Sequence, residues 1–263
     1  MPWAYRALLC TTISTPFIVE DFLSERYRID MMKPVHVLAF DADDTLWHSE
    51  DHFHATELAY YELLAPHVAP GFDIKGTLTN TQRINLPTYG YGVKAFSLSM
   101  VEAAISMTDG NVPSAILTRL IDMGRELLLA PVRLLNDVPE ILSVVAEQYR
   151  LVLITKGDLM HQSRKIELSG LKDFFEHVEV VQEKDIATYG RIFNDLDIDP
   201  REVCMIGNSV KSDISPILEL GGHAVHIPYP VLWELEKTEH PMPSKRFGEL
   251  ATIADLPAWL HDL

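Results

Sequence analysis

Asp41, Asp43 and Asp44 crowd three carboxylates into four positions directly after the apolar run that starts at Val35. Like charges this close repel unless a cation, a proton or solvent separates them. Asp41 and Asp43 are two apart, so in extended backbone their side chains lean toward one site, with Thr45 next in phase. If the apolar run is a strand of a parallel sheet, Asp41 sits at its carboxyl end, where open α/β sheets place their ligands. A solvated turn would also accommodate three acids, so the remaining chain has to supply partners.

Three other stretches carry suitable groups. Leu151–Ile154 ends in Thr155-Lys156-Gly157-Asp158, where a hydroxyl followed by amides at a helix start can seat a phosphate oxygen. Asp158 also reads as a simple helix cap. Val178–Val181 leads to Lys184, which could pair with Asp41 and offset the charge of an incoming phosphate, although a lone lysine before a helix is usually surface. Val203–Ile206 ends in Gly207-Asn208-Ser209 and reaches Asp213. Asn208 and Asp213 offer oxygens suited to a hard cation such as magnesium, or else a turn and a cap.

The elements that would gather these residues alternate in type. Strands are expected at Val35–Phe40, Leu151–Ile154, Val178–Val181, Val203–Ile206 and His223–Ile227. Helices are expected at 138–149, from Asp158 to Gly170, after Asp185 and at 212–220. Strands separated by helices imply a parallel sheet with right-handed crossovers. Between 51 and 130 no strand-like run occurs. Helical spacing there covers Glu50–His67, Thr77–Ile84, Ala95–Met107 and Ser114–Leu129. The expected class is α/β, a Rossmann-like parallel sheet with helices on both faces and an inserted all-helical cap. Its parts are an N-terminal extension at 1–32, a core at 33–50 and 131–263, and the cap at 51–130. The Pro-rich tail from Tyr229 to Leu263 is expected to pack over the sheet edge.

In order and strand context, the four segments resemble the four motifs of the haloacid dehalogenase (HAD) superfamily, phosphatase type. DxDxT at Asp41–Thr45 and the segment to Asp213 are the most specific parts, and the resemblance spans about 33–228. It implies hydrolysis of a phosphomonoester through an aspartyl-phosphate. Asp41 is then the nucleophile, and Asp43 the general acid/base, whose backbone carbonyl also ligates magnesium. Thr155 is the phosphate-binding hydroxyl, Lys184 the motif lysine and Asp213 a metal ligand. The helical insertion resembles a C1 cap. Asn208 stands where many relatives have aspartate, so the Mg²⁺ set of Asp41, Asp43, Asp213 and Asn208 is one formal charge poorer. A phosphotransferase or mutase of the same fold, or a silent scaffold used for binding, remain alternatives.

Thr45, Lys156 and Gly157 join the candidate substrate-binding residues. So do Tyr89, Tyr91 and Lys94 in the stretch 86–94, where two glycines and two tyrosines suggest a mobile loop that contacts the leaving group, or an ordinary connection between helices. His48, His52 and His54 lack acidic or cysteine partners nearby and read as a solvated helix start. Cys204 lies within a buried strand and reads as core.

The chain has 263 residues, with 47% hydrophobic and 23% charged, an ordinary globular composition. A formal charge of −16 argues against a basic nucleic-acid footprint, while a metal and a few lysines can still reverse the sign locally for a small anionic metabolite. Two cysteines make a disulfide framework improbable and fit a reducing cytoplasm. No apolar run suits a membrane span. Residues 7–19 only loosely imitate a signal peptide, and a start near Met31 would make 1–30 dispensable. A monomer or homodimer is expected.

Overall fold

The computed structural model describes residues 34–263. The expected extension at 1–32 lies outside the described residues. Six parallel strands form one sheet in the order β3-β2-β1-β4-β5-β6: β1 (Val37–Phe40), β2 (Arg150–Lys156), β3 (His177–Val181), β4 (Val203–Gly207), β5 (His223–His226) and β6 (Phe247–Glu249). This is the doubly wound order in which the chain reverses direction beside β1, leaving a crevice at the carboxyl ends of β1 and β4.

The period of two along β1 explains how both faces become buried. Leu38 and Phe40 pack with Leu142, Leu153 and Ile166 in one layer, while Val37 and Ala39 pack with Tyr189, Phe193 and Met205 in the other. Helices α5 (Val138–Ala146), α6 (Leu159–Ser169) and α9 (Leu256–His261) supply the first layer. Helix α7 (Ile186–Asp195) and the short α8 (Ser215–Glu219) supply the second. Carboxylates start several of these elements. Asp158 accepts from the amide of His161 at the head of α6, and Asp185 from that of Thr188 at the head of α7.

Between β1 and β2 lie α1 (Glu50–Leu64), α2 (Ile74–Tyr89), α3 (Val93–Met107) and α4 (Ser114–Leu129). They enclose their own apolar centre of Tyr60, Leu64, Leu78, Met100, Leu120 and Met123. The segments that lead into and out of this cap run side by side, bridged at Trp47 and Leu134. The Leu135 amide donates to the Leu46 carbonyl at 2.9 Å, and the His48 amide to the Arg133 carbonyl at 2.9 Å.

Three local expectations need correction. Helix α2 continues through Pro87 to Tyr89, so the stretch 86–94 is a helix end and a short turn rather than one open loop. Gly90 (φ 71°) and Gly92 (φ 104°) make that turn in the region glycine tolerates. The segment after β4 does not begin as an α-helix. Val210–Ile214 winds as a π-turn, and α8 starts only at Ser215, with Pro216 in its first turn where a missing N–H costs nothing. The tail forms the sixth strand instead of merely covering an edge: β6 pairs with β5 from Ala224↔Phe247 to His226↔Glu249. Three residues with glycine at the centre carry too little pattern to be read as a strand. Among the described residues no helix is long and apolar enough to cross a membrane.

Gly248 tests the placement of β6. A Cβ added there would sit 2.4 Å from Trp259 Nε1. Gly248→Ala is expected to lower stability by ~1–3 kcal/mol through overpacking. Urea unfolding measures it, and an unchanged midpoint would contradict the packing of β6 on α9.

Candidate active site

The crevice at the end of β1 opens into a cavity of about 180 Å³ between the sheet and the cap. Asp41 reaches it directly from β1 and is nearly fully buried. Lys184, delivered by the turn between β3 and α7, donates to Asp41 Oδ1 at 2.5 Å and to Asp213 Oδ1 at 2.7 Å. Thr45 Oγ1 donates to Asp41 Oδ2 at 3.0 Å, and the Ser209 amide donates to Asp213 Oδ2 at 2.9 Å. Gly207 makes room for this arrangement, since a Cβ there would lie 2.3 Å from Asp213 Oδ2.

Charge accounts for the state of this triad. Burial and the nearby Asp213 push the Asp41 carboxyl above the usual carboxylate range, against the pull of Lys184. Burial acts to lower the Lys184 pKa, but Asp213 and Asp41 outweigh it and hold the ammonium charged. Two buried carboxylates thus share one ammonium. Asn208 faces the same cavity. Oxygens of Asp41, Asp213 and Asn208, with the Asp43 backbone carbonyl, are a donor set suited to a hard divalent cation, and the excess negative charge favours one.

Asp43 is held by a second lysine. Lys165 Nζ lies 2.6 Å from both of its carboxylate oxygens, Trp47 Nε1 donates at 2.6 Å, and Gln162 Nε2 donates at 3.2 Å. Burial alone would raise the Asp43 pKa, yet Lys165 and these donors bring it below the ordinary value. Asp44 does something different. With φ 64° it turns back on the chain, and its carboxylate accepts from the amides of Ser49 and Glu50 at 2.8–3.1 Å, thereby capping α1. Burial and the like charge of Asp43 push it up to about 8 in spite of those bonds.

Asp41, Asp43, Lys156, Gly157, Tyr91, Lys184, Asn208 and Asp213 all line the cavity. Thr155 stands directly behind the wall, fully buried, and its hydroxyl accepts from Gln162 Nε2 at 2.6 Å. Thr45 is likewise behind the wall, on Asp41. Lys156 is heavily engaged. Its ammonium binds Ser212 Oγ at 2.9 Å and Glu236 at 2.7 Å, and lies 3.9 Å over the Tyr91 ring. Tyr89 and Lys94 do not line the cavity. Tyr89 is exposed and bonds Glu102 on α3, because the longer α2 carries it away from the mouth. Lys94 instead bridges cap and core through Asp158 at 2.9 Å.

Several wall residues went unread in the sequence. Gln162, Lys165 and Ile166 share the buried face of α6 at helical spacing, and two polar residues on a face that should be apolar were the available signal. Trp233 and Glu236 come from the tail, which crosses the cavity before reaching β6. Glu236 accepts from Ser209 and Ser212 hydroxyls at 2.6 Å, and Trp233 Nε1 donates to Gln82 on α2 at 3.0 Å. No local pattern marks residues in an irregular segment as site-facing.

The haloacid dehalogenase-like hydrolase family model matches residues 35–221, and the chain belongs to that family. A haloacid dehalogenase-like family hydrolase from Xanthomonas campestris is 36% identical, with a TM-score of 0.79 over 88% of this chain and 92% of that one. A 2-haloacid dehalogenase from Pseudomonas syringae pv. Tomato shares the fold at 19% identity (TM-score 0.59; 87% and 99% covered). So does a putative HAD hydrolase from Bacillus subtilis bound to magnesium, at 17% identity (TM-score 0.61; 87% and 99% covered). No curated protein matches the chain.

The Asp43–Lys165 pair makes a direct prediction. Lys165→Met alone strands a largely buried carboxylate, whereas Lys165→Met with Asp43→Asn removes both charges. A double-mutant cycle by urea unfolding is expected to give a coupling energy on the order of 1–3 kcal/mol. Strict additivity would mean the contact contributes nothing.

Proposed function

We propose that the chain is a magnesium-dependent, cytoplasmic phosphatase that hydrolyses a small phosphomonoester through an aspartyl-phosphate on Asp41. The observation that carries this reading is the pair of carboxylates, Asp41 and Asp43, facing one cavity with a separate buried lysine on each. Two ammonium groups about one crevice suit a phosphoryl dianion. A second carboxylate suits a leaving group that must be protonated, which a departing halide does not require.

Asp41 attacks phosphorus in line, the bond from phosphorus to the ester oxygen breaks, and the acyl phosphate forms. Lys184 keeps Asp41 aimed and reduces its repulsion with the incoming charge. Asp43 protonates the departing oxygen and then takes a proton from the water that hydrolyses the intermediate, a contribution of roughly 10²–10⁴-fold. Held ionised by Lys165 before substrate arrives, Asp43 gains a proton more easily once a dianion competes for that ammonium. Gly157, without a Cβ, leaves the backbone after β2 open to phosphate oxygens, and Thr155 fixes Gln162 behind it. Magnesium held by Asp41, Asp213, Asn208 and the Asp43 carbonyl would supply charge neutralisation at the phosphoryl group.

The cavity also speaks to the leaving group. About 180 Å³ is small beside the ~300–1,000 Å³ of sites for drug-sized ligands. Among the described residues, the cap contributes Glu50 and Glu57 to the wall together with Gln82, Asn85 and Ser99, and no lysine or arginine. A compact leaving group rich in hydroxyls or carrying an amine fits such a wall, and one bearing a second anion, as in phosphoglycolate, does not.

Asp41→Asn is expected to lower kcat/KM for the best phosphate ester by at least ~10³-fold, and EDTA to do the same reversibly. Free phosphate release is the measurement. Halide release from 2-haloacids without phosphate release would overturn the reading, as would transfer of the phosphoryl group to a second substrate. Asn208→Asp is expected to tighten magnesium binding by restoring a formal charge, which magnesium titration of the activity measures.

A further inference from the structure

On the far side of the loop after β4, three metal-ligating side chains converge on the edge of the sheet: His226, His240 and Glu249. His226 and Glu249 end neighbouring strands as register partners, and His240 belongs to the connection that precedes β6. His226 Nδ1 lies 3.0 Å from Glu249 Oε2, and His240 Nδ1 lies 3.4 Å from the same oxygen. All three candidate donor atoms fall within 4.8 Å of one another. The two rings meet edge to face at 5.3 Å between centroids.

We propose that His226, His240 and Glu249 form a binding site for a divalent transition metal of the zinc class, separate from the magnesium site proposed above. Tetrahedral coordination with bonds of ~2.0–2.1 Å places donors ~3.3 Å apart, close to the 3.4 Å between His240 Nδ1 and Glu249 Oε2 and somewhat beyond the 3.0 Å between His226 Nδ1 and the same oxygen. A second feature points the same way. The buried His226 ring places Nε2 3.1 Å from the Asn208 carbonyl, and a carbonyl can only accept. Nε2 is thus taken up by that carbonyl, and Nδ1 is the ring nitrogen turned toward Glu249 and His240. A ligand histidine anchored through its other nitrogen to a backbone carbonyl is the usual supporting arrangement at metal centres. Two imidazoles and a carboxylate favour zinc, cobalt or nickel over magnesium, which prefers oxygen alone. His240 and Glu249 are exposed, so the metal has a path in and a coordination position remains for water. Filled, the site would join β5, β6 and the intervening chain, and would press on the loop that carries Asn208.

The test is calorimetric titration of the full chain with zinc in the presence of saturating magnesium, repeated with cobalt to read the visible bands of tetrahedral coordination. One zinc per chain at micromolar affinity or tighter is expected, with a rise in Tm. His240→Ala and Glu249→Gln each should weaken it at least tenfold and abolish the tetrahedral cobalt spectrum. His240 is a solvent-exposed side chain, so His240→Ala is expected to fold. Absence of binding below ~100 μM, or affinity unchanged in His240→Ala, would overturn the proposal and leave an ordinary histidine–carboxylate ion pair.

Discussion

One ammonium, that of Lys184, fastens the end of β1 to the loop after β4. Its two bonds to Asp41 and Asp213 are almost wholly removed from water, and ions in such a place are tolerated only when their partners are held in good geometry. The sheet order supplies that geometry. Lys184 leaves β3, passes the end of β2, and meets Asp41 and Asp213 where β1 and β4 lie side by side. Tyr189 beneath it, bonded to the Ser212 carbonyl, ties α7 to the π-turn and keeps water out. Unwinding of any of these connections would expose an unpaired charge, so the fold and the charge pattern stabilise one another.

Around this centre the acids are separated by lysines drawn from different elements. Lys165 on α6 serves Asp43, and Lys156 at the end of β2 serves Glu236 from the tail. The chain is strongly acidic overall, and in the crevice too carboxylates outnumber ammonium groups, each of the three lysines being paired with an acid. Glu236 also accepts from Ser209 and Ser212, which puts the tail and the π-turn in one hydrogen-bonded unit. Burial acts to raise the Glu236 pKa, but Lys156 and the two serines bring it below its ordinary value. The tail is thus part of the site's wall, with Trp233 stacked edge-on against Tyr91 of the cap.

The parts legible in the sequence were those encoded locally. Each parallel strand is a short apolar run followed by its chemistry, so the positions of Asp41, Lys184 and Asp213 could be read from strand ends once strands and helices alternated. The helical cap could be read because α4 and its neighbours repeat apolar residues at helical spacing. What could not be read depends on contacts distant in sequence. Lys165 sits on a helix whose inward direction is set by the sheet, 122 positions after its partner Asp43. Glu236 is placed by the path of an irregular segment, and β6 by pairing with an edge rather than by its own three residues. Tyr89 lies away from the cavity for a simpler reason: Pro87 stands in the last turn of α2 without ending it, so the helix carries the ring past the cavity mouth.

Asp44 has a wider meaning for how such a protein can vary. Its carboxylate holds the first amides of α1, while the residue three positions earlier holds Lys184. Only a few bonds of backbone therefore separate the anchorage of the lid from the charged centre of the crevice, and the two flanking segments of the lid are stitched together by main-chain hydrogen bonds. The helices beyond that stitch meet the rest of the chain through side chains, Lys94 on Asp158 and Gln82 on Trp233 among them. Their first turn is held more closely, since it is registered against an aspartate that cannot shift without dragging Asp41 with it.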